Sequence, residues 1–274
     1  MRVAVVTIAA HRDRHLRMQL RSLGGSRRAC DDHVVVAMGD PRTMDAVSEH
    51  GHARGIWLDH DEGPLPLAAA RNIGAAAALA GGADLLVFLD VDCMASEELL
   101  DRYVSAAEHP GNRSALLCGP VTYLPPPGPG GYDLDGLDQL RSPHPARPAP
   151  PNGSVTAGTD FDLFWSLSFA VGRATWQHVG GFCTDYSGYG GEDTDFAQTA
   201  RAAGVGLRWV GGADAFHQHH PVSDPPVEHL RDILANARTF HRRWGRWPMR
   251  GWLKAFEAGG LIEYDRDLHE WVMS

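Results

Sequence analysis

Short apolar segments alternate with helical patterns along the first third of the chain, and this alternation constrains the fold more than any other feature. Four apolar runs of strand length lie at residues 3–8, 33–38, 56–58 and 85–89. The stretches 15–23 and 68–80 have helical spacing or are dense in alanine, so they are predicted to be helices. Continuous apolar runs suit parallel strands that are buried on both faces. We therefore predict an α/β protein with a Rossmann-like, mostly parallel central sheet flanked by helices.

The composition fits one large soluble domain. The 274 residues are 43% hydrophobic, and the net charge of −9 argues against a nucleic-acid-binding surface. Four widely spaced cysteines form no CxxC pair, so we expect free thiols rather than a zinc site or disulfides. The apolar N-terminus is shorter than a signal peptide, and no run approaches the ~20 apolar residues of a membrane span. These features predict a cytoplasmic protein.

Residues 124–151 break the alternating pattern. This segment holds nine of the 18 prolines and four glycines, which excludes regular structure along most of it. Loops of this length inside a domain are usually lids, binding loops or disordered. We predict one domain over residues 1–224, with 124–151 as a lid that orders when a ligand binds, and a C-terminal helical extension over 225–274 packed on that domain.

The C-terminal extension carries a basic segment in an otherwise acidic chain. Between Arg238 and Lys254 there are six basic residues, no acidic residue and three tryptophans. One interpretation is a patch for peripheral contact with the inner membrane face or with an anionic acceptor. The other is a helix that packs its tryptophans on the core and leaves its arginines in solvent. The sequence leaves both interpretations open.

Two carboxylates, Asp90 and Asp92, directly follow the predicted strand 85–89. At that position they project into the crevice above the sheet, where they can hold Mn²⁺ or Mg²⁺ through oxygen atoms. Such an ion offsets the charge that develops on a departing nucleotide diphosphate. The alternative is that Asp92 only caps a helix beginning near residue 96.

A glycine-rich turn at 188–191 leads into three acidic residues at the start of a predicted helix, Glu192, Asp193 and Asp195. The helix dipole favours ionised acids there, and the glycines allow close approach of a ligand. Glu192 and Asp193 can bind an acceptor hydroxyl and take its proton. The alternative is a helix-capping cluster without a catalytic role.

Three histidines follow a further predicted strand, in the sequence His217-Gln218-His219-His220. Neutral imidazole is a common metal ligand, so one of them can complete a metal site with Asp92. His217 is the first choice and His219 the second. A hydrolytic zinc site is not expected, because no HExxH motif is present.

At these motifs the chain resembles the inverting glycosyltransferases of the A-type fold, combining bacterial family 2 with the catalytic domain of β-1,4-galactosyltransferases. The resemblance covers roughly residues 1–224 and rests on segments in the same order: HRDRHL at 11–16, RNIG at 71–74, LDVDC at 89–93, residues 168–182 and GYGGEDTDF at 188–196. It implies a nucleotide diphosphate sugar donor, usually UDP-linked, with Mn²⁺. The transferred sugar is a galactose-, N-acetylgalactosamine- or glucose-type hexose, and the acceptor is a hydroxyl of a glycan, a lipid-linked sugar or a small molecule.

The resemblance also assigns residue roles. Asp193 is the general base, Glu192 positions hydroxyl groups, Asp92 binds the metal directly, and Asp90 binds the metal or the ribose. The His217-Gln218 pair resembles the metal histidine of bacterial chondroitin-type polymerases. The nucleotide-binding candidates are Thr7, His11, Arg12, Arg14, Asp40, Arg71, Asn72 and Asp90. The acceptor-binding candidates are Trp165, Tyr189, Gly190 and Gly191.

The chain departs from the family at four places. Tyr189 replaces a tryptophan, and Asp40 stands alone where many family 2 enzymes have paired aspartates. The metal methionine of the galactosyltransferases has no counterpart in HQHH at 217–220, and residues 124–151 have no counterpart either. Two other classes of protein are alternatives. A nucleotidyltransferase would carry a glycine- and lysine-rich loop after the first strand, where this chain has AAHRDRH. A non-catalytic glycan- or nucleotide-binding module is expected to lack one of the acids, and all are present.

Overall fold

The computed structural model describes residues 1–274 and contains thirteen strands and eight α-helices. The strands are β1 (Val3–Ala9), β2 (Asp32–Met38), β3 (Arg54–Leu58), β4 (Leu85–Leu89), β5 (Cys93–Ala95), β6 (Ala115–Cys118), β7 (Val121–Tyr123), β8 (Val155–Gly158), β9 (Ser168–Gly172), β10 (Gly206–Val210), β11 (Ala215–His217), β12 (Ile262–Asp265) and β13 (Glu270–Met273). The helices are α1 (Asp13–Gly24), α2 (Pro41–His50), α3 (Leu67–Ala80), α4 (Leu99–Glu108), α5 (Arg173–Val179), α6 (Glu192–Ala202), α7 (Leu230–Trp244) and α8 (Arg250–Ala258).

Eight strands form the central sheet in the order β3-β2-β1-β4-β9-β6-β10-β8. Strands β3, β2, β1 and β4 pair in parallel, and so do β6 and β10. Strand β9 is antiparallel to both β4 and β6, and the edge strand β8 is antiparallel to β10. The mostly parallel α/β fold predicted from the sequence is therefore confirmed, with two reversed strands that the pattern did not indicate.

Both faces of the sheet are covered, as the continuous apolar strands require. One core cluster joins Val6 and Phe88 to α3 and α6, and a second joins Val5 and Val87 to α4. Helix α3 lies so close to the sheet that a Cβ on Gly74 would stand 2.5 Å from Val6 Cγ1. Glycine at this position therefore allows the close packing between helix and sheet.

A small second sheet, in the order β5-β11-β7, lies beyond the carboxyl end of β4. Its strand β5 begins one residue after Asp92, and His217 of β11 pairs with Cys93 of β5. Helix α4 begins only at Leu99. The alternative that Asp92 caps this helix is therefore wrong, because a strand separates the two. The same pairing brings the histidine segment next to the aspartates.

Residues 124–151 are irregular, as predicted, apart from a 3₁₀ turn at Leu137–Leu140. The segment is anchored at several points. Leu124 and Leu137 are buried against Met94 and Phe216, and Arg141 lies 2.9 Å from the buried carboxylate of Asp214. Its ends are thus held on the second sheet and its neighbouring turn.

The C-terminal extension is not purely helical, which corrects the sequence prediction. Helices α7 and α8 are followed by a hairpin of β12 and β13, joined by antiparallel pairing. Tyr264 and Trp271 of the hairpin pack edge to face at 5.2 Å. The 3.6-residue pattern of α7 and α8 is visible in the sequence, whereas the hairpin is too short and polar to be recognised by alternation.

Four of the six basic residues between Arg238 and Lys254 make internal contacts, among them Arg242, which donates to the Thr239 hydroxyl. Arg238 donates to the Trp271 carbonyl, Arg243 pairs with the buried Asp195 at 2.7 Å, and Arg246 pairs with Asp162. Trp244 also donates to Asp195. These contacts favour the packing interpretation, and membrane contact stays a prediction. None of the helices has the length and hydropathy of a membrane span.

Candidate active site

Buried polar residues of β1 and α1 hold the turn after β4 in place. Gln19 of α1 donates to the carbonyls of Leu89 and Asp90, at 3.2 and 2.6 Å. Thr7 donates to Gln19 and lies against the Leu89 carbonyl. Thr7 is fully buried. The prediction that Thr7 contacts the nucleotide is therefore wrong, because its hydroxyl supports the aspartate turn from inside the sheet.

Asp92, His217 and His220 form a three-residue cluster at this turn. The Nε2 atoms of His217 and His220 lie 3.5 and 3.3 Å from Asp92 Oδ2. The possible ligand atoms of all three residues lie within 4.8 Å of one another. The predicted pairing of Asp92 with His217 is thus present in the geometry, and His220 joins it.

His219, the second-choice ligand, lies outside this cluster and is exposed. The buried Gln218 explains the difference. Its backbone N–H donates to the Asp92 carbonyl and its side-chain amide donates to the His15 carbonyl, at 2.7 and 3.0 Å. The chain direction set by Gln218 leaves His217 and His220 beside Asp92. The backbone N–H of His219 donates instead to the Tyr132 hydroxyl.

The cluster suits a divalent metal ion. Two imidazoles and one carboxylate are a common donor set for first-row divalent ions, Mn²⁺ among them, with positions left open. Burial opposes ionisation of Asp92, but hydrogen bonds from His217 and His220 hold the pKa of its carboxyl well below its usual range. Asp92 is therefore an anion in this setting, as a metal ligand must be.

Arg71 connects the metal turn to the acidic helix start. Its guanidinium donates to Asp90 Oδ1 at 3.0 Å and to Glu192 Oε1 at 3.1 Å. Arg71 is nearly fully buried. It was predicted to bind nucleotide, whereas its guanidinium instead joins two carboxylates from distant segments. Asp90 faces this arginine and is not a member of the Asp92 cluster.

Glu192 and Asp193 are adjacent acids at the start of α6, with Glu192 buried and Asp193 partly exposed. Burial first, and the charge of Asp193 second, raise the pKa of Glu192 to about 7, although Arg71 opposes the shift. Burial also raises the pKa of Asp193, against hydrogen bonds from Thr194. The Thr194 N–H donates to Asp193 Oδ1 at 2.6 Å. Acids with raised pKa values are the ones suited to accepting a proton near neutral pH.

The turn before this pair depends on glycine. Gly188, Gly190 and Gly191 have φ values of 71°, 94° and 91°, in the left-handed region that favours glycine. A Cβ on Gly188 would also stand 2.1 Å from Asp232 Oδ2 of α7. Asn236 of α7 donates to the carbonyls of Ser187 and Tyr189. Helix α7 therefore supports the turn, a role that the sequence did not reveal.

Tyr189 lies between the two groups of acids. Its ring stacks on His229 at 4.6 Å and faces Trp252 at 6.0 Å, and it is 40% exposed. Burial, and then the charges of Asp193, Glu192 and Asp92 among others, raise the pKa of its hydroxyl. Both the metal cluster and the acidic pair are therefore close enough to act on one side chain.

Asp195, the third acid after the glycine turn, lies outside the candidate site. It is buried and accepts hydrogen bonds from Tyr186, Arg243 and Trp244. Its carboxylate joins α6 to α7. Of the three acids after the glycine turn, Asp195 is thus a structural residue that holds the C-terminal extension in place.

The predicted nucleotide-binding residues fall into two groups. His11, Arg12 and Arg14 lie in the loop after β1 and at the start of α1, exposed or partly exposed. The side chains of Asp40 and Asn72 form hydrogen bonds with backbone groups. Asp40 caps α2 and accepts the His11 N–H at 2.8 Å. Asn72 pairs with both backbone groups of Phe182, at 2.8 and 2.9 Å. Direct base contact by these two side chains is therefore not supported.

Sequence reasoning missed His220 and the bridging function of Arg71. The three-residue spacing of His217 and His220 was the available indication for the first. No local pattern indicates the second, because Arg71, Asp90 and Glu192 lie up to 121 positions apart in the chain. Trp165, predicted to bind acceptor, is partly buried, with its ring 5.0 Å from His144 of the proline-rich segment.

One protein-family model matches the chain. The model described as the N-terminal domain of galactosyltransferase matches residues 159–221. This stretch includes Trp165, the glycine turn with Glu192 and Asp193, and both clustered histidines. It covers less than a quarter of the chain.

Two curated relatives are similar over a longer stretch. Both are named validoxylamine A glucosyltransferase, from Streptomyces hygroscopicus subsp. limoneus and from Streptomyces hygroscopicus subsp. jinggangensis (strain 5008). They are 28% and 27% identical over 253 residues, which cover 79% of this chain. The alignments cover 52% and 56% of the relatives, so the chain spans about half their length.

Solved structures share the fold. The structure of GalNAc-T7 with UDP, GalNAc and Mn²⁺ superposes with a TM-score of 0.57 at 14% identity, covering 93% of this chain and 56% of that one. S. aureus TarS 1–349 in complex with UDP-GlcNAc gives a TM-score of 0.59 at 12% identity, covering 93% and 76%. The resemblance to glycosyltransferases is thus confirmed: the chain has their A-type fold and carries a galactosyltransferase-family sequence pattern over residues 159–221.

Proposed function

We propose that this chain is a metal-dependent, inverting glycosyltransferase that moves a hexose from a nucleotide diphosphate sugar to an acceptor hydroxyl. One observation carries the proposal. The Asp92–His217–His220 cluster and the Glu192–Asp193 pair meet at the carboxyl edge of the sheet, joined through Asp90 and the buried Arg71. This edge is where open α/β sheets bind their ligands.

The residues divide the chemistry between them. Asp193 accepts the proton of the acceptor hydroxyl as the hydroxyl oxygen attacks the anomeric carbon. The bond from that carbon to the diphosphate oxygen breaks, its electron pair leaves with the diphosphate, and the configuration inverts. Glu192, held by Arg71, orients hydroxyl groups for this displacement. A divalent ion held by Asp92, His217 and His220 would offset the negative charge on the departing diphosphate.

UDP-hexose and Mn²⁺ are the proposed donor and cofactor. Support comes from the structural neighbours crystallised with UDP or UDP-GlcNAc, one of them with Mn²⁺. Support for a glucose-type sugar comes from the names of the two relatives. The acceptor is a hydroxyl of a glycan, a lipid-linked sugar or a small molecule. The partly exposed Arg12 lies in the loop after β1 and the exposed Arg14 in the first turn of α1, where they can reach the donor's phosphates or base.

A donor screen tests the proposed function. The purified chain is mixed with Mn²⁺ and each of a set of UDP-, GDP- and dTDP-hexoses, and binding is measured by calorimetry together with slow hydrolysis of the donor. We expect one UDP-hexose to bind only when Mn²⁺ is present. Synthesis of a sugar nucleotide from a nucleoside triphosphate and a sugar phosphate would contradict the proposal. So would the absence of Mn²⁺-dependent binding across the whole set.

We further propose that residues 124–151 close over the bound donor. The segment joins β7, next to His217, to the sheet edge at β8, and its interior consists of turns and prolines. Such loops commonly sequester substrate during catalysis. We expect UDP with Mn²⁺ to slow cleavage within 124–151 by a protease of broad specificity several-fold. Equal cleavage rates with and without UDP and Mn²⁺ would speak against a lid.

A further inference from the structure

Six side chains form a continuous row of ring and cation–π contacts from the far strands of the central sheet to the metal cluster. In order they are Trp209, Arg147, Trp165, His144, Tyr123 and His217. The Arg147 guanidinium carbon lies 5.0 Å from the Trp209 ring centroid and 4.9 Å from that of Trp165. The ring centroids then follow at 5.0, 5.6 and 4.5 Å, where the first two contacts are edge to face and the last, between Tyr123 and His217, is stacked. We call this set the aromatic stack.

Arg147 holds an unusual position in the aromatic stack. Its side chain is buried, and none of its guanidinium nitrogens has a hydrogen-bond partner. Burying an unpaired cation is costly, so the fold retains it against a penalty. The two tryptophan faces offset part of that penalty through cation–π contacts. The guanidinium thus fills the space between the indoles and fixes the plane of Trp165.

The other end of the aromatic stack is open. Tyr123 is 50% exposed, and His144 and Trp165 are both partly exposed. The Tyr123 hydroxyl makes no hydrogen bond within the chain, and neither does His144 Nε2. The outer part of the stack therefore combines exposed aromatic surface with polar groups that are free to bind a ligand. Its inner end is the contact between the rings of Tyr123 and His217, and His217 is a member of the metal cluster.

The strand order places this surface on one side of the proposed reaction centre. The loop that is proposed to hold the nucleotide follows β1, and Asp92 follows β4. Trp165 precedes β9 and Trp209 lies in β10, which come after β4 in the sheet order. A donor that extends from β1 to the metal therefore has its sugar end toward the aromatic stack.

We propose that Tyr123, His144 and Trp165 form a platform for a hexopyranose ring of the acceptor, and that Arg147 is its positioning residue. The inference rests on the proposed function and assigns the proline-rich segment, which supplies His144 and Arg147, to acceptor recognition. The C–H groups of a pyranose pack on the electron-rich faces of aromatic rings. The free hydroxyl and imidazole groups bind the sugar's hydroxyls at the rim.

The test uses saturation-transfer NMR on the whole chain with UDP and Mn²⁺ bound. The probes are the methyl glycosides of glucose, galactose and N-acetylglucosamine, together with cellobiose and lactose. We expect at least one probe to bind. Trp165→Ala and Tyr123→Ala should each weaken it about tenfold, which corresponds to the loss of one aromatic contact. Trp57→Ala is the matched control, because Trp57 is 47% exposed on β3 at the other edge of the sheet.

Arg147 is tested with a pair of variants. Arg147→Met should weaken sugar binding about as much as Trp165→Ala while leaving Tm unchanged or raised, since it removes a buried unpaired charge. Arg147→Lys should restore part of the sugar affinity. A purely structural function would instead lower Tm in both variants and leave the dissociation constant for the sugar unchanged in the folded protein.

The outcomes separate this inference from the proposed function. If UDP binds with Mn²⁺ but no glycoside binds, the platform is overturned and the proposed function stands. The platform is also overturned if Trp57→Ala weakens the glycoside as much as Trp165→Ala does. If UDP itself fails to bind, the proposed function falls and the platform falls with it.

Discussion

Asp193→Asn is expected to lower the rate of sugar transfer by ~10²–10⁴-fold while UDP still binds. Asparagine keeps the size of the side chain, and its carbonyl can still accept the Thr194 N–H, so the turn and the helix should stay in place. The amide cannot take up a proton from the acceptor. Transfer is measured with the UDP-hexose identified by the donor screen, and UDP binding is measured by calorimetry on the same sample.

The neighbouring Asp195 provides the matched control. It belongs to the same acidic stretch, but its carboxylate joins α6 to α7 through Arg243 and Trp244. Asp195→Asn should therefore lower thermal stability more than it lowers the turnover of the folded enzyme. Near-normal turnover by Asp193→Asn would exclude Asp193 as the base. The wild-type rate should also fall as the pH drops, because burial raises the pKa of Asp193 and a protonated carboxyl cannot take the acceptor's proton; a rate that stays constant down to acid pH would count against this base.

Asp92→Ala and His220→Ala should each weaken Mn²⁺-dependent UDP binding by roughly 100-fold or more, since even the outer partners of metal ligands are worth 10–100-fold in affinity. Both side chains offer atoms to the same cluster, with His220 Nε2 3.3 Å from Asp92 Oδ2. Calorimetry of UDP with and without Mn²⁺ measures the loss. Binding of Mn²⁺ alone, followed by its electron paramagnetic resonance signal, should weaken in parallel.

His219→Ala is the control for this second prediction. His219 lies between His217 and His220 in the sequence. Its side chain is exposed and lies outside the cluster. We expect its Mn²⁺ and UDP affinities to match those of the wild type. If His219→Ala were as defective as His220→Ala, the histidine assignment would have to be reversed. Full Mn²⁺-dependent UDP binding by Asp92→Ala would remove the metal site from this turn.

The fold could be predicted because the apolar patterns that determine it lie within single strands and helices. Strands β1 and β4 are buried on both faces, and a strand in that position must be apolar at every residue, as both sequences are. The helices between them were bounded by glycines that end them. The hairpin of β12 and β13 was missed, because short, exposed strands carry no alternation strong enough to recognise.

The candidate site was predictable only where its residues are neighbours in sequence. Asp90 with Asp92, and Glu192 with Asp193, stand out because short acidic runs follow a buried strand or a glycine turn. Thr7, Asp40 and Asn72 were assigned to the nucleotide from the resemblance to the glycosyltransferases. The structure shows their polar atoms bonded to the chain's own side chains and backbone, and the sequence does not reveal such contacts.

The sequence by itself determined the α/β architecture, the edge of the sheet that carries the site, and the acids available there. Only the tertiary structure decided which side chains meet. His220 rather than His219 lies beside Asp92, because the buried Gln218 fixes the path of the chain. Arg71 joins the two acidic motifs across 121 positions, and Arg147 is clamped between two tryptophans of separate strands and loops. Contacts of this kind depend on packing between distant segments, which leaves no periodic pattern in the sequence.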